Sequence, residues 1–96
     1  MAKLVRDKIP EIIIQNGGNP KIKPANNEEF WQAIKEKLTE ETNEFIRDSN
    51  EEELADIYEV LNSIIDFKKF DKIKIDGIKK RKLKERGGFA KRIILE

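Results

Sequence analysis

Two neighbouring stretches of the sequence place apolar residues at the spacing of an α-helix, and only a short polar junction separates them. The first begins after Asn26 or Asn27, either of which suits a helix N-cap, and it continues to about Asp48. Its apolar positions are Phe30, Ile34, Leu38 and Phe45. This spacing leaves a gap in the stripe at Glu41, and it predicts one long helix with an acidic residue on its inner face.

The second stretch predicts another long helix directly after the junction. Ser49 and Glu52 have the spacing of an S-x-x-E capping box, so we expect this helix to begin there and to end near residue 69. Its apolar positions are Leu54, Ile57, Leu61, Ile64 and Ile65. Because the junction is short, the two helices should fold back on each other as an antiparallel hairpin.

The remaining segments are shorter. Pro10 suits the first position of a short helix that Gly17-Gly18 would end, and the prolines within residues 19–25 favour an extended segment. A third helix is predicted from about Lys74 to Arg86, where Gly87-Gly88 follows. Residues 92–95 are compatible with a short strand or a docked coil. We therefore predict an all-α fold, an antiparallel bundle of two long and one or two shorter helices.

The length of the chain bears on its assembly and its surroundings. Its 96 residues fit a single domain, residues 1–96, whose small interior would leave a lone copy marginally stable. We therefore expect a homodimer or homotetramer held together by helix packing. No apolar run is long enough for a membrane span, and the N-terminus lacks the apolar centre of a signal peptide. These features predict a cytoplasmic protein without a membrane partner.

The sequence contains no cysteine and no histidine. Disulfides, thiolate or imidazole zinc sites, and Ser-His or Cys-His nucleophiles are therefore excluded. Chemistry must come from carboxylates, amides, hydroxyls and basic side chains. Such a set suits a hard cation that is bound through oxygen.

Two pairs of acids have a spacing that could build such a site. Glu41 and Glu44 belong to an E-E-x-x-E motif that begins at Glu40, and Glu53 and Asp56 form an E-x-x-D motif. Within each pair the i, i+3 spacing places both carboxylates on one face of a helix. Surface acids at this spacing are common in a chain with 19 acidic residues, so the motifs alone are weak evidence.

The positions of the pairs in the hairpin are more informative. Glu44 and Glu53 lie 4.5 positions on either side of the Asp48-Ser49 junction, and Glu41 and Asp56 lie 7.5 positions from it. At a rise of about 1.5 Å per residue, each acid reaches the same depth as its mate on the other helix. Converging carboxylates repel each other unless a cation neutralises them. We expect Mg²⁺, with Mn²⁺ as second choice, bound by these four residues.

A carboxylate-bound Mg²⁺ usually also binds the phosphates of a substrate. It polarises a phosphoryl oxygen and lowers the pKa of a bound water. We expect Glu40, or Glu59 one turn beyond Asp56, to orient or deprotonate that water. Together with Glu40, the ligands Glu41 and Glu44 are the candidate catalytic residues.

Basic side chains could bind the phosphates. Residues 28–59 carry 12 acidic and 3 basic side chains, whereas residues 68–92 carry 12 basic and 3 acidic ones. The candidate phosphate ligands are Arg6, Lys8, Arg86 and Arg92. The alternative is that they pair with the acidic segment, and the lysines within residues 79–84 are expected to form a solvated helix face.

The acidic motifs on consecutive helices resemble the MazG-like superfamily of all-α nucleoside triphosphate pyrophosphohydrolases. Lys3-Leu4-Val5-Arg6-Asp7-Lys8-Ile9-Pro10 is similar to the N-terminus of a small single-domain branch of that group. The segments Arg86-Gly87-Gly88-Phe89 and Arg92-Ile93-Ile94-Leu95 are similar to its C-terminus. The resemblance therefore covers nearly the whole chain.

The resemblance implies a Mg²⁺-dependent enzyme that cleaves nucleoside triphosphates between the α and β phosphates. The products would be a nucleoside monophosphate and pyrophosphate, and the role could be the removal of non-canonical nucleotides. The implied metal ligands are Glu41, Glu44, Glu53 and Asp56. Only eight residues separate Glu44 from Glu53, fewer than is usual in MazG itself. The turn must be tight, and the base pocket of longer members need not be present.

Two other functions remain open. Phosphoribosyl-ATP pyrophosphohydrolase activity uses the same kind of site, although the end motifs look like the stand-alone branch. The other is a non-catalytic helical protein that binds a partner or a nucleic acid through residues 68–92. Salt-sensitive binding of nucleic acid that survives Glu41→Ala and Glu44→Ala would favour that last function.

Overall fold

The computed structural model describes residues 2–96, and this part of the chain contains helices and no strand. The helices are α1, Ile9–Gln15; α2, Asn27–Asp48; α3, Glu51–Lys68; and α4, Lys72–Arg86. The prediction of an all-α fold with two long helices is therefore confirmed. The chain forms two compact units, of which the first ends at Ile64 and the second begins at Ile65. The assignment of a single domain stays a prediction.

Helix α2 begins with a complete capping box. The backbone N–H of Glu29 donates to Asn26 Oδ1 at 2.9 Å, and the N–H of Asn26 donates to Glu29 Oε1 at 3.2 Å. These bonds satisfy two of the donors that a helix leaves free at its N-terminus. The start predicted at Asn26 or Asn27 is thus confirmed, with Asn26 as the cap.

The turn between α2 and α3 differs from the prediction. Ser49 has a φ of 49° and ends α2, and its hydroxyl donates to the carbonyl of Phe45 at 3.1 Å. It therefore belongs to the preceding helix, and the predicted capping box of Ser49 and Glu52 is wrong. Asn50 is the residue that caps α3, because its Oδ1 accepts a hydrogen bond from the N–H of Glu53 at 2.9 Å.

The first unit has a small interior. Ile34 on α2 and Val60 on α3 are its buried apolar residues among those described, and Glu41 is also buried. Phe30, Ile34, Glu41 and α3 residues such as Val60 line one common cavity, so α2 and α3 lie side by side. Residues near the start of α2 meet residues late in α3, as the chain reversal at Ser49 requires.

The outer face of α3 is apolar and exposed. Leu54, Tyr58 and Leu61 follow one another by steps of four and three residues, which places them on one face of the helix. All three are exposed. Leu54 and Leu61, two of the apolar positions that marked this helix in the sequence, therefore contribute little to the interior of the first unit.

The second unit contains α4 and the C-terminal segment. Asp71 caps α4 by accepting a hydrogen bond from the N–H of Ile73 at 2.9 Å, so the helix begins at Lys72 rather than at the predicted Lys74. It ends at Arg86, before Gly87 with a φ of 78°. Residues 92–95 form neither a strand nor a docked coil, and Leu95 is 96% exposed.

None of the helices over residues 2–96 combines the length and the apolar character that crossing a lipid bilayer requires.

Candidate metal centre

Three carboxylates from the two long helices converge in the first unit. Glu41 comes from α2, and Glu53 and Asp56 come from successive turns of α3. One oxygen of each lies within 4.8 Å of the oxygens of the other two. The i, i+3 spacing aligns the α3 pair, and the packing of α2 on α3 brings Glu41 to them. We call these three residues the acid cluster.

Of the acid cluster, Glu41 is buried, whereas Glu53 and Asp56 are half-buried. Glu41 is only 6% exposed, and neither its Oε2 nor the Oε2 of Glu53 has a hydrogen-bond partner in the described part of the chain. A buried carboxylate oxygen without a partner costs free energy, typically several kcal/mol when the group is charged. A hard divalent cation bound by oxygen would satisfy both atoms.

The electrostatic surroundings of Glu41 disfavour the ionised form of its carboxyl group. Its burial raises the pKa of its carboxyl group, and the neighbouring carboxylate of Glu44 raises it further. Lys37 acts in the opposite direction but does not cancel the increase. Ionised Glu41 is therefore disfavoured in the folded chain, and a bound cation would remove that penalty.

Glu44 lies beside the acid cluster and not within it. Its carboxylate interacts with that of Glu41 closely enough to change the pKa of Glu41. Its carboxylate is not among the three whose oxygens lie within 4.8 Å of one another. The structure therefore brings together three of the four predicted ligands, and the role of Glu44 as the fourth stays a prediction.

Lys37 is a site residue that the sequence analysis did not identify. Its Nζ lies 3.2 Å from Glu41 Oε1 and 3.5 Å from Glu40 Oε1, and its side chain is 17% exposed. Burial alone would lower the pKa of Lys37, but the two carboxylates together raise it above its ordinary value. The signal was present in the sequence, because Lys37 precedes these acids by three and four residues in a helix.

The N-terminal segment contacts the same acidic face. Arg6 donates from Nη2 to Asp56 Oδ1 at 2.8 Å, and Lys3 Nζ lies 3.5 Å from Glu40 Oε1. Arg6 was predicted as a phosphate ligand, with pairing to the acidic segment as the alternative. The structure shows the pairing, and it places the guanidinium next to a member of the acid cluster.

A cavity of about 170 Å³ opens beside the acid cluster. Its walls are formed by apolar side chains, by acids that include Asp56 and Glu59, and by the cations Arg6 and Lys37. The apolar lining residues are Leu4, Val5, Phe30, Ile34 and Val60. The cavity thus combines acidic, basic and apolar side chains in its wall, next to the acid cluster.

The other predicted site residues occupy different places. Glu40 is held by two lysines and is not part of the cavity wall, whereas Glu59 is. Lys8 is exposed at the N-cap of α1. Arg86 and Arg92 are exposed residues of the second unit. Phosphate binding by Lys8, Arg86 and Arg92 stays a prediction.

A protein of Mycolicibacterium smegmatis that is described only as an uncharacterized protein is 48% identical to this chain over 44 residues. The match covers 46% of this chain and 45% of the relative, so less than half of either is shared. No protein-family model and no solved structure matches the chain.

Proposed function

We propose that the chain is a cytoplasmic, Mg²⁺-dependent nucleotide pyrophosphohydrolase, which cleaves the bond between the α and β phosphates of a nucleoside triphosphate. One observation carries the proposal: the carboxylates of Glu41, Glu53 and Asp56 converge, and the Oε2 atoms of Glu41 and Glu53 are buried without a hydrogen-bond partner within residues 2–96. The choice of this anhydride rests on the resemblance of the acidic and terminal motifs to the MazG-like group. Non-canonical nucleotides are the proposed substrates.

The acid cluster fits Mg²⁺, and Mn²⁺ next, because all its donor atoms are carboxylate oxygens. Glu41, Glu53 and Asp56 would hold the ion, with Glu44 alongside. When bound, the ion would polarise a phosphoryl oxygen and make a water molecule more acidic.

The chain's own residues have separate tasks in this proposal. Arg6 and Lys37 border the cavity and offer positive charge to the phosphate oxygens. Glu59 borders it too and is placed to orient the attacking water or accept its proton. Phe30 and Val60 exclude other water and supply an apolar wall for the nucleoside. Phosphoribosyl-ATP contains the same anhydride and is the alternative substrate.

The proposal is tested by measuring pyrophosphate release from a panel of canonical and modified nucleotides and from phosphoribosyl-ATP. We expect release with Mg²⁺ and none with EDTA. Glu53→Gln should abolish it, and the matched control Glu52→Gln, an exposed neighbour on α3, should not. No release from any nucleotide by wild-type protein that binds Mg²⁺ would contradict the proposal.

The proposal includes a homodimer or homotetramer formed by helix packing. Because Ile34 and Val60 are the buried apolar residues of the described chain, a single copy has little interior. The exposed face of Leu54, Tyr58 and Leu61 would pack against the same face of a second copy. Sedimentation of wild type and of Leu61→Lys tests this, since the variant should be monomeric.

The second unit favours one other function, the binding of a polyanion such as a nucleic acid. Residues 68–92 carry a charge of +9, and no salt bridge joins residues 69–96 to an acid within the described chain. Binding that weakens with salt and survives Glu41→Ala and Glu44→Ala would support it. This is the non-catalytic alternative of the sequence analysis, and it does not require the acid cluster.

A further inference from the structure

Two members of the acid cluster already have a positive partner from the chain. Lys37 Nζ lies 3.2 Å from Glu41 Oε1, and Arg6 Nη2 lies 2.8 Å from Asp56 Oδ1. Glu53, the third member, has no ion pair in the described part of the chain. The two cations therefore balance part of the negative charge that a divalent ion would otherwise neutralise.

The same two cations form part of the cavity wall. A divalent ion bound by the acid cluster would lie close to both, and like charges at such short range repel strongly. It would also compete with Lys37 and Arg6 for the negative charge of Glu41 and Asp56, although in Glu41 the unpartnered oxygen is Oε2 and Lys37 contacts Oε1. The ion and the two side chains therefore cannot all keep their best interactions with Glu41 and Asp56.

Both side chains can adopt another position or make another contact. Lys37 has a second carboxylate within reach, because Glu40 Oε1 lies 3.5 Å from its Nζ. The side chain of Arg6 is 58% exposed and belongs to a segment outside the helices, so it has room to change rotamer. Both already face the cavity, where the phosphates of a substrate would need positive charge.

We propose that Lys37 and Arg6 are exchangeable counterions: they neutralise Glu41 and Asp56 until a divalent cation binds, and then contact the phosphate oxygens of the substrate. The inference rests on the proposed function and deepens it, because it assigns Lys37 to substrate binding and gives the order in which cation and substrate bind. The divalent cation binds first, and it frees the two side chains that hold the polyphosphate.

The exchange is tested with Arg6→Gln and Lys37→Gln, using Mn²⁺ and inorganic pyrophosphate as probes. Each substitution removes a competitor of the cation, so Mn²⁺ affinity, measured from the electron paramagnetic resonance signal of free Mn²⁺, should rise by about threefold. Each also removes a phosphate contact, so calorimetry in Mg²⁺ should show pyrophosphate binding about tenfold weaker. The control Lys23→Gln removes a lysine that pairs with Glu29 at 2.7 Å, outside the acid cluster, and should change neither.

Opposite changes in the two affinities distinguish exchange from a structural role, which would weaken both. Unchanged or weaker Mn²⁺ binding in Arg6→Gln, or unchanged pyrophosphate binding, would overturn the inference while leaving the proposed function in place. Failure of the wild type to bind Mn²⁺ would overturn both. If Lys37→Gln loses its helical circular dichroism, the test rests on Arg6→Gln, because Arg6 is more exposed. Arg6→Lys should then restore pyrophosphate binding.

Discussion

The side chain of Asn50 accepts a hydrogen bond from the backbone N–H of Glu53 at 2.9 Å. The residue that caps α3 is thus bonded directly to a member of the acid cluster. The capping bond fixes the first turn of the helix, and the first turn fixes where the Glu53 carboxylate points. Helix capping and the geometry of the candidate metal centre are therefore coupled in this chain.

The first prediction concerns this cap. Asn50→Ala should lower the free energy of unfolding by about 1 kcal/mol, because it removes the acceptor for the N–H of Glu53. Ser49→Gly should be neutral or stabilising, since Ser49 has a φ of 49° that glycine adopts without strain. Urea unfolding of Asn50→Ala and Ser49→Gly measures the two changes in the free energy of unfolding. A Ser49→Gly variant that is less stable than Asn50→Ala would contradict the assignment of Asn50 as the cap.

The second prediction separates stability from metal binding. Glu41→Gln should raise the stability of the metal-free protein by about 1 kcal/mol, or about 4–8 °C in Tm, because it removes a buried carboxylate whose Oε2 lacks a hydrogen-bond partner within residues 2–96. Wild type should gain about 1.4 kcal/mol from Mg²⁺ at ten times its Kd, and the variant should gain almost none. The control is Glu36→Gln, an exposed acid on the same helix, which should respond to Mg²⁺ as wild type does.

The third prediction is a dependence of stability on pH. Burial raises the pKa of Glu41 above its ordinary value of 4.5, so the folded chain binds more protons than the unfolded chain just above that pH. Stability should therefore fall as pH rises from 4.5 through the higher pKa of the folded state, and remain lower beyond it. Mg²⁺ should abolish this fall, because it binds the ionised form.

Other groups also titrate in that range, so the comparison with Glu41→Gln isolates the contribution of Glu41. Lys37, Glu44, Glu53 and Asp56 all face Glu41 and remain in the variant. The difference between the two unfolding profiles, measured by chemical denaturation from pH 4 to pH 8, should show the fall. A difference that does not change with pH would contradict the assigned shift.

The fourth prediction chooses between two candidate bases. Glu59 lines the cavity, whereas Glu40 is held by Lys3 and Lys37 away from the cavity wall. Glu59→Gln should therefore lower kcat by about 10²–10⁴-fold, the usual contribution of a general base. Glu40→Gln should change it much less. A larger loss of kcat in Glu40→Gln than in Glu59→Gln would instead indicate that Glu40 is the base.

Much of the helical architecture could be predicted because its signals are local. Asn26 and Glu29 form the box that begins α2, and Ile34 belongs to the apolar stripe that the spacing identified in that helix. The stripe of α3 was less accurate, because Leu54 and Leu61 are exposed. Ser49 failed as a cap because a hydroxyl can bond to the preceding helix as well as to the next. Its backbone conformation, which decides between them, is not encoded in the S-x-x-E pattern.

The site was predictable only in part. Glu41, Glu53 and Asp56 came from spacing and mirrored depth, two properties of helix geometry. The pairing of Arg6 with Asp56 joins residues 50 positions apart, and no local pattern encodes such a contact. The contacts of Lys37 could have been predicted, because helical spacing alone pairs it with Glu40 and Glu41.

Among the residues that the structure describes, the three buried ones are Ile34, Val60 and Glu41, so one of the three carries an ionisable group. An interior of this kind offers few contacts that resist local opening. Chelating the divalent ion should consequently speed the exchange of backbone amide hydrogens in α2 and α3 and expose this hairpin to proteases. The lifetime of the protein would then follow the supply of the ion on which its proposed chemistry depends.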